Sequence, residues 1–68
     1  MNYDKLGEIH ESLVNGQRKQ MVKQIDEYGL YDFWDDYATY LQELYVHADS
    51  RYYYFVDAVT YYHRIKAR

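Results

Sequence analysis

Few residues in this chain interrupt a helix. It contains no proline, and its three glycines stand at positions 7, 16 and 29. Proline breaks helices because it lacks a backbone N–H and clashes with the preceding turn, whereas glycine commonly follows the last helical residue. Gly16 and Gly29 therefore predict turns, and between the breaks apolar residues recur every three or four positions. This pattern predicts an all-α fold.

These breaks and the capping residues together predict four helices: Tyr3 to Val14, Gln17 to Tyr28, Phe33 to about His47, and about Arg51 to Lys66. Short polar residues that can cap a helix N-terminus precede three of them: Asn2, Asp32, and Asp49 or Ser50. Gly7 weakens the first helix, so it either packs closely under a ring or marks a later start. Short turns between short helices predict a compact antiparallel bundle, with residues 1–68 forming a single domain.

The helical spacing also predicts a small core. Its members are Leu13, Met21, Ile25, Trp34, Leu41, Phe55 and Val59. On the fourth helix the inward row is predicted to be Tyr52, Phe55, Val56, Val59, and Tyr62 or His63. A chain near this length buries only about 60% of the surface of its unfolded form. Trp34, the largest of these side chains, is therefore expected to matter most for stability.

Tyrosine is present in excess of what such a core can hold. Eleven of the 68 residues are Tyr, and most lie between Tyr28 and Tyr62. Several of these rings must reach solvent or a partner, and surfaces rich in Tyr are typical of the centres of protein interfaces. Tyr40 on the third helix, and Tyr53, Tyr54 and Tyr61 on the fourth, are predicted to face outward. The sequence thus indicates a contact surface.

Charge is distributed unevenly along the chain, although the net charge is only −3 and the pI about 5.4. No Lys or Arg occurs from residue 26 to residue 49, and the carboxylates there are Asp26, Glu27, Asp32, Asp35, Asp36, Glu43 and Asp49. Basic residues lie on both sides: Arg18, Lys19 and Lys23 before, and Arg51, Arg64, Lys66 and Arg68 after. These charges either form solvated faces and surface pairs or steer a charged partner. The predicted protein-binding residues are Asp36, Tyr40, Glu43, Tyr53, Tyr54 and Tyr61.

Signals for an enzyme or a cofactor site are weak. Without cysteine the chain has no disulfide, thiol nucleophile or cysteine-based zinc site, and no phosphate-binding glycine loop or catalytic triad can be named. Glu43 and His47 have the spacing of one helix face, but two ligands without a third make a weak metal site. The longest apolar run, Tyr52 to Val56, is far shorter than a membrane span. We therefore expect a cytoplasmic, non-enzymatic protein with no cofactor and no membrane partner.

Two segments carry a resemblance to known proteins. The run Asn15-Gly16-Gln17-Arg18-Lys19-Gln20, followed by Tyr28-Gly29-Leu30-Tyr31-Asp32-Phe33-Trp34, resembles a pattern in small, mostly uncharacterised proteins encoded by bacteriophages. The similarity spans residues 15–34 and includes no catalytic signature. It implies a phage origin, a bacterial host cytoplasm, and a protein that binds and blocks or redirects a host machine, including anti-defence proteins of the anti-CRISPR kind. It assigns no functional residue.

Two classes of function remain open. A module that binds a host protein or nucleoprotein complex would use the rings as anchors and the acids for steering, and an acidic block that mimics nucleic acid is one variant of it. A small helix-turn-helix-like regulator would bind DNA directly through Arg18, Lys19 and Lys23, against the acidic character of the chain. A homodimer through the fourth helix also remains open.

Overall fold

A computed structural model describes all 68 residues, which form four helices. They are α1 (Tyr3–Val14), α2 (Arg18–Tyr28), α3 (Leu30–Leu44) and α4 (Ala48–Lys66). The prediction of an all-α bundle is confirmed. α2 contacts each of the other three helices, and the molecule measures 34 × 22 × 20 Å. None of the helices is both long enough and apolar enough to span a bilayer.

The turn between α1 and α2 follows the predicted glycine cap. Gly16 has a φ of +78°, and the N–H groups of Gly16 and Gln17 donate to the carbonyls of Leu13 and Ser12 at 3.1 and 2.8 Å. These two bonds close a Schellman motif, in which the left-handed residue satisfies the last carbonyls of the helix. At the other end of α1, the Asn2 side chain accepts from the Lys5 N–H at 3.1 Å, so the predicted Asn2 cap is also confirmed.

The third helix begins earlier than predicted. The N–H groups of Asp32 and Phe33 donate to the Gly29 carbonyl at 3.2 and 3.0 Å, so α3 starts at Leu30 and not after an Asp32 cap. Gly29, with a φ of +107°, ends α2 and begins α3 in a conformation that glycine adopts readily. Asp32 lies instead in the first turn, where its negative charge complements the helix dipole.

The loop between α3 and α4 has the predicted length but lies three residues earlier in the chain. Tyr45 is extended, so α3 ends at Leu44 and not at His47, and α4 begins at Ala48 without a side-chain cap from Asp49 or Ser50. The Arg51 guanidinium reaches back over the loop, donating from Nε to the Tyr45 carbonyl at 2.8 Å and from Nη2 to the Val46 carbonyl at 3.0 Å. The Arg51 side chain therefore satisfies two loop carbonyls that have no helical N–H partner.

The core is centred on α3, where Leu41 is buried as predicted but Phe33 replaces Trp34 as the interior ring. Phe33, Tyr37 and Leu41, each four residues apart, are buried, whereas the predicted Trp34 is only half-buried. The complete core is Leu6, Ile9, Leu13, Met21, Val22, Ile25, Phe33, Tyr37, Leu41, Ala58 and Tyr62. The Phe33 ring lies beneath Trp34, at 4.8 Å between ring centroids. Phe33 therefore takes the interior position and Trp34 covers its edge.

The prediction for α4 is right about Tyr62 and wrong about the other fully buried positions. Ala58 and Tyr62 are buried, whereas Tyr52 is 74% exposed and Val56 and His63 are also exposed. Phe55 and Val59, predicted as core residues, are half-buried. The Tyr62 hydroxyl donates to Asp26 of α2 at 2.7 Å, and Lys66 forms an ion pair with the same carboxylate at 2.6 Å. These contacts fix the rotation of α4.

Gly7 lies under the Tyr40 ring, which is the first of the two predicted alternatives. A Cβ built at Gly7 would lie 3.5 Å from the Tyr40 hydroxyl oxygen, which is an ordinary van der Waals contact. Since Ala is a better helix former than Gly, we expect Gly7→Ala to raise the free energy of unfolding by about 0.5–1 kcal/mol. Urea denaturation followed by circular dichroism measures this change. A clear loss of stability would show that the Tyr40 ring has no room to accommodate the methyl group.

Candidate functional site

Exposed apolar side chains gather around the α3–α4 hairpin. Val46 in the loop is 86% exposed, and Tyr52 and Tyr53 at the start of α4 are 74% and 59% exposed. Leu44, two residues before Val46, and Val56, three residues after Tyr53, are also exposed. We call these five residues the hairpin face. Contiguous exposed apolar surface on a small soluble domain commonly marks a site of protein interaction.

Helical spacing on α4 arranges the hairpin face in two rows. Ala48, Tyr52 and Val56 are four residues apart and make an apolar row. One position on, Asp49, Tyr53 and Asp57 make a second row, which places a carboxylate one turn before and one turn after the Tyr53 ring. The face therefore combines aromatic anchors with negative charge.

An apolar groove runs between α3 and α4 beside these rows. Its volume is about 270 Å³, and its lining consists of Ala38, Leu41, Gln42, Ala48, Arg51, Tyr52 and Phe55. Arg51 is the only charged residue of the lining, and its guanidinium is held by the Tyr45 and Val46 carbonyls. The groove thus presents mainly aliphatic and aromatic surface, with Tyr52 shared between the groove and the hairpin face.

The predicted site residues do not form one patch. Of the rings, Tyr53 belongs to the hairpin face, whereas Tyr40, Tyr54 and Tyr61 are half-buried. Glu43 is exposed at the end of α3, where its carboxylate raises the pKa of Tyr3 by a hydrogen bond.

Asp36 has an internal role. It is half-buried and accepts a hydrogen bond from the Tyr28 hydroxyl at 2.7 Å. The same Tyr28 oxygen accepts from the Asn2 N–H at 3.2 Å. Asp36 therefore connects α3 to α2 and to the start of α1, which explains why this carboxylate is not free on the outer face.

Tyr40 and Tyr54 surround a buried histidine that the sequence analysis did not identify. His10 of α1 shares hydrogen bonds with the hydroxyls of Tyr37, at 2.8 Å from Nδ1, and Tyr45, at 2.7 Å from Nε2. The Tyr54 ring meets His10 edge to face at 4.9 Å and stacks on Tyr45 at 5.0 Å. The available signal was the position of His10 four residues after Leu6, on the same helix face.

This histidine cluster is structural. Both His10 nitrogens have hydroxyl partners, which leaves neither nitrogen free for a metal or a substrate. Burial lowers the pKa of His10 and raises that of Tyr37, so both side chains are neutral at physiological pH. The cluster joins α1 to α3, to the hairpin loop and to α4, and thereby supports the hairpin face from inside.

The lowered pKa of His10 predicts a loss of stability in mild acid. In the unfolded chain His10 has a pKa of about 6.5, so as the pH falls through this value the unfolded state takes up a proton before the folded state does. The free energy of unfolding should therefore decrease below about pH 6.5 until His10 is also protonated in the folded protein. Urea midpoints measured between neutral pH and mild acid test this. His10→Gln should remove the decrease in stability that His10 causes in mild acid, whereas His63→Gln, at an exposed position, should retain this decrease. If the pH dependence of the urea midpoint is the same in His10→Gln as in the wild type, His10 is not its cause.

The Glu43 and His47 pair does not form the helical arrangement that the sequence suggested. α3 ends at Leu44 and His47 is the residue that precedes α4, so the two side chains do not share a helix face. No group of three or more His, Asp or Glu side chains converges in the structure.

Sequence reasoning missed most of the hairpin face. The sequence predicts Val46 in a helix, Tyr52 and Val56 in the core, and only Tyr53 at the surface. The missed signal is the run of three tyrosines from Tyr52 to Tyr54, which cannot all face inward on a helix. Comparisons with protein-family models, with curated proteins and with solved structures find no match to this chain.

Proposed function

We propose that this protein is a protein-binding module and that the hairpin face is its contact surface. The observation that carries the proposal is the exposure of Val46, Tyr52 and Tyr53 around the α3–α4 hairpin, where Tyr52 also lines an apolar groove. Tyrosine rings at the centre of an interface supply large apolar contact area and a hydroxyl for hydrogen bonding, at a small cost in conformational entropy.

The charges around the hairpin face favour a basic partner. Asp49 and Asp57 flank Tyr53, and Glu43 is exposed near the end of α3. In a twofold contact between two copies, the same face meets itself, so these carboxylates would oppose one another. A different protein with basic residues around an apolar patch would complement them. We therefore assign the face to a foreign partner and expect the free protein to be monomeric by light scattering.

The resemblance to small phage-encoded proteins supports a narrower form of the proposal. In this form the partner is a host protein or nucleoprotein complex that the module inhibits or redirects, as anti-defence proteins of the anti-CRISPR kind do. A surface that binds without catalysis suits this task, because occupying the partner is sufficient to block it. The carboxylates around the hairpin face, Asp49, Asp57 and Glu43, would also complement the charge of a basic nucleic-acid-binding cleft.

Affinity capture from bacterial lysate tests the proposal. The baits are the wild-type protein, the double variant Tyr52→Ser/Tyr53→Ser, and Tyr31→Ser, which changes a 96% exposed ring near the start of α3. A partner retained by the wild type and by Tyr31→Ser but lost from the double variant supports the hairpin face. Equal retention by all three baits, with each folded by circular dichroism, contradicts it. A concentration-dependent dimer that the double variant abolishes would instead assign the face to a second copy.

A further inference from the structure

A concave basic pocket lies at the other end of α4 from the hairpin face. The α1–α2 turn and the end of α4 enclose about 330 Å³, and Arg18, Lys19, Arg64 and Arg68 line the pocket together with Tyr61. No acidic residue contributes to the lining. The fold thus brings together basic residues from two segments that are more than forty positions apart in the chain.

None of these four positive charges forms an ion pair within the protein. The only ion pair of the structure joins Lys66 to Asp26, so none of the four has a carboxylate within 4 Å. Like charges that converge in a concave site repel one another, and this repulsion is relieved when an anion binds between them. In a protein whose net charge is −3, such a concentration of positive charge is a local feature that requires a separate explanation.

Tyr61 holds part of the pocket in place. The Arg18 guanidinium lies over the Tyr61 ring at 3.8 Å from its centroid and donates from Nη2 to the Tyr61 hydroxyl at 3.0 Å. The Arg64 guanidinium lies 5.8 Å from the same ring. A guanidinium fixed in this way loses little further freedom on binding, and its planar donors match the oxygen atoms of a phosphate group.

The start of α2 adds to the same field. α2 begins at Arg18, and the preceding Gln17 makes no side-chain hydrogen bond to the first turn. The positive end of the helix dipole therefore adjoins the pocket without a capping side chain. On its own this feature would identify no site, but here it has the same sign as the four side chains.

From these observations we propose that the basic pocket binds a compact ligand that carries one or two phosphate groups. The volume lies at the low end of the range of about 300–1,000 Å³ that is usual for small-molecule sites. A nucleic acid strand needs a basic path along the surface, but Lys66 is paired with Asp26, and Lys5 and Lys23 do not line the pocket. The proposal does not depend on the hairpin face.

Calorimetric titration with pyrophosphate at constant ionic strength tests the proposal. The pocket variant is Lys19→Gln/Arg64→Gln, and the matched control is Lys5→Gln/Lys23→Gln, which removes the same charge outside the pocket. We expect the pocket variant to weaken pyrophosphate binding by about tenfold or more, since two charged donors are lost, and the control to change it by less than about twofold. All four positions are exposed, so circular dichroism should show an unchanged fold, and Arg64→Gln alone provides a milder second variant.

Three results would overturn the proposal. Equal weakening in the pocket variant and the control would show that binding follows net charge alone. Citrate binding as tightly as pyrophosphate would show a general anion site without preference for phosphate. A single-stranded or duplex oligonucleotide that binds much more tightly than pyrophosphate, and loses affinity in the control as well, would identify an extended nucleic-acid surface and support the DNA-binding alternative.

Discussion

Phe33→Ala is expected to lower the free energy of unfolding by about 3–5 kcal/mol, which is comparable to the whole stability of a domain this small. Phe33 is fully buried, stacks on Tyr37 at 5.1 Å between ring centroids, and meets the rings of Tyr28 and Trp34 edge to face at 5.8 and 4.8 Å. Truncation removes these contacts and leaves a cavity that the rigid neighbouring rings cannot fill. Thermal and urea denaturation, followed by circular dichroism, measure the loss.

Two further variants of α3 make this result specific. Tyr31→Ala removes an equally large ring from a position that is 96% exposed, so its stability should remain close to that of the wild type. Trp34→Ala should lie between the two, because Trp34 covers the edge of the core and is not inside it. A Trp34→Ala variant that loses more stability than Phe33→Ala, or a Phe33→Ala variant that melts within a few degrees of the wild type, would contradict the central position of Phe33.

Tyr53→Ala is expected to weaken binding to the captured partner by about 2 kcal/mol or more, which corresponds to roughly thirtyfold in Kd. The loss should appear as faster dissociation, because an aromatic anchor acts after the two surfaces have met. Tyr52→Ala should behave similarly, since that ring also borders the groove. Surface plasmon resonance separates the two rate constants, and circular dichroism confirms that the fold is retained.

The neighbouring carboxylates should act on the other rate constant. Asp49→Asn/Asp57→Asn and Glu43→Gln are expected to slow association and to reduce its dependence on salt, because exposed charges steer the encounter between proteins. Asp36→Asn is expected to leave association unchanged, since this carboxylate, unlike that of Glu43, is half-buried between α3 and α2. Normal kinetics in both tyrosine variants, with the fold intact, would exclude the hairpin face as the interface.

Local sequence signals determined the architecture of this protein. The sequence predicts the Asn2 cap, the turn at Gly16 and the break at Gly29, and the spacing of aliphatic residues places Leu13, Met21 and Ile25 in the core of α1 and α2. Capping bonds and the backbone conformation of glycine involve residues only a few positions apart. Such interactions are present in the sequence itself, and the bundle class follows from them.

Tertiary contacts decided which rings are buried and therefore where the candidate surface lies. On α4 aromatic residues occupy so much of the circumference that several rotations of the helix are equally apolar, and the choice depends on the Asp26 carboxylate that receives Tyr62 and on the His10 ring beside Tyr54. Likewise, Arg18 and Arg64 come together around the Tyr61 ring only in the packed structure. A tyrosine suits a core, a hydrogen-bonded network or an interface equally well, so its neighbours in space determine its role.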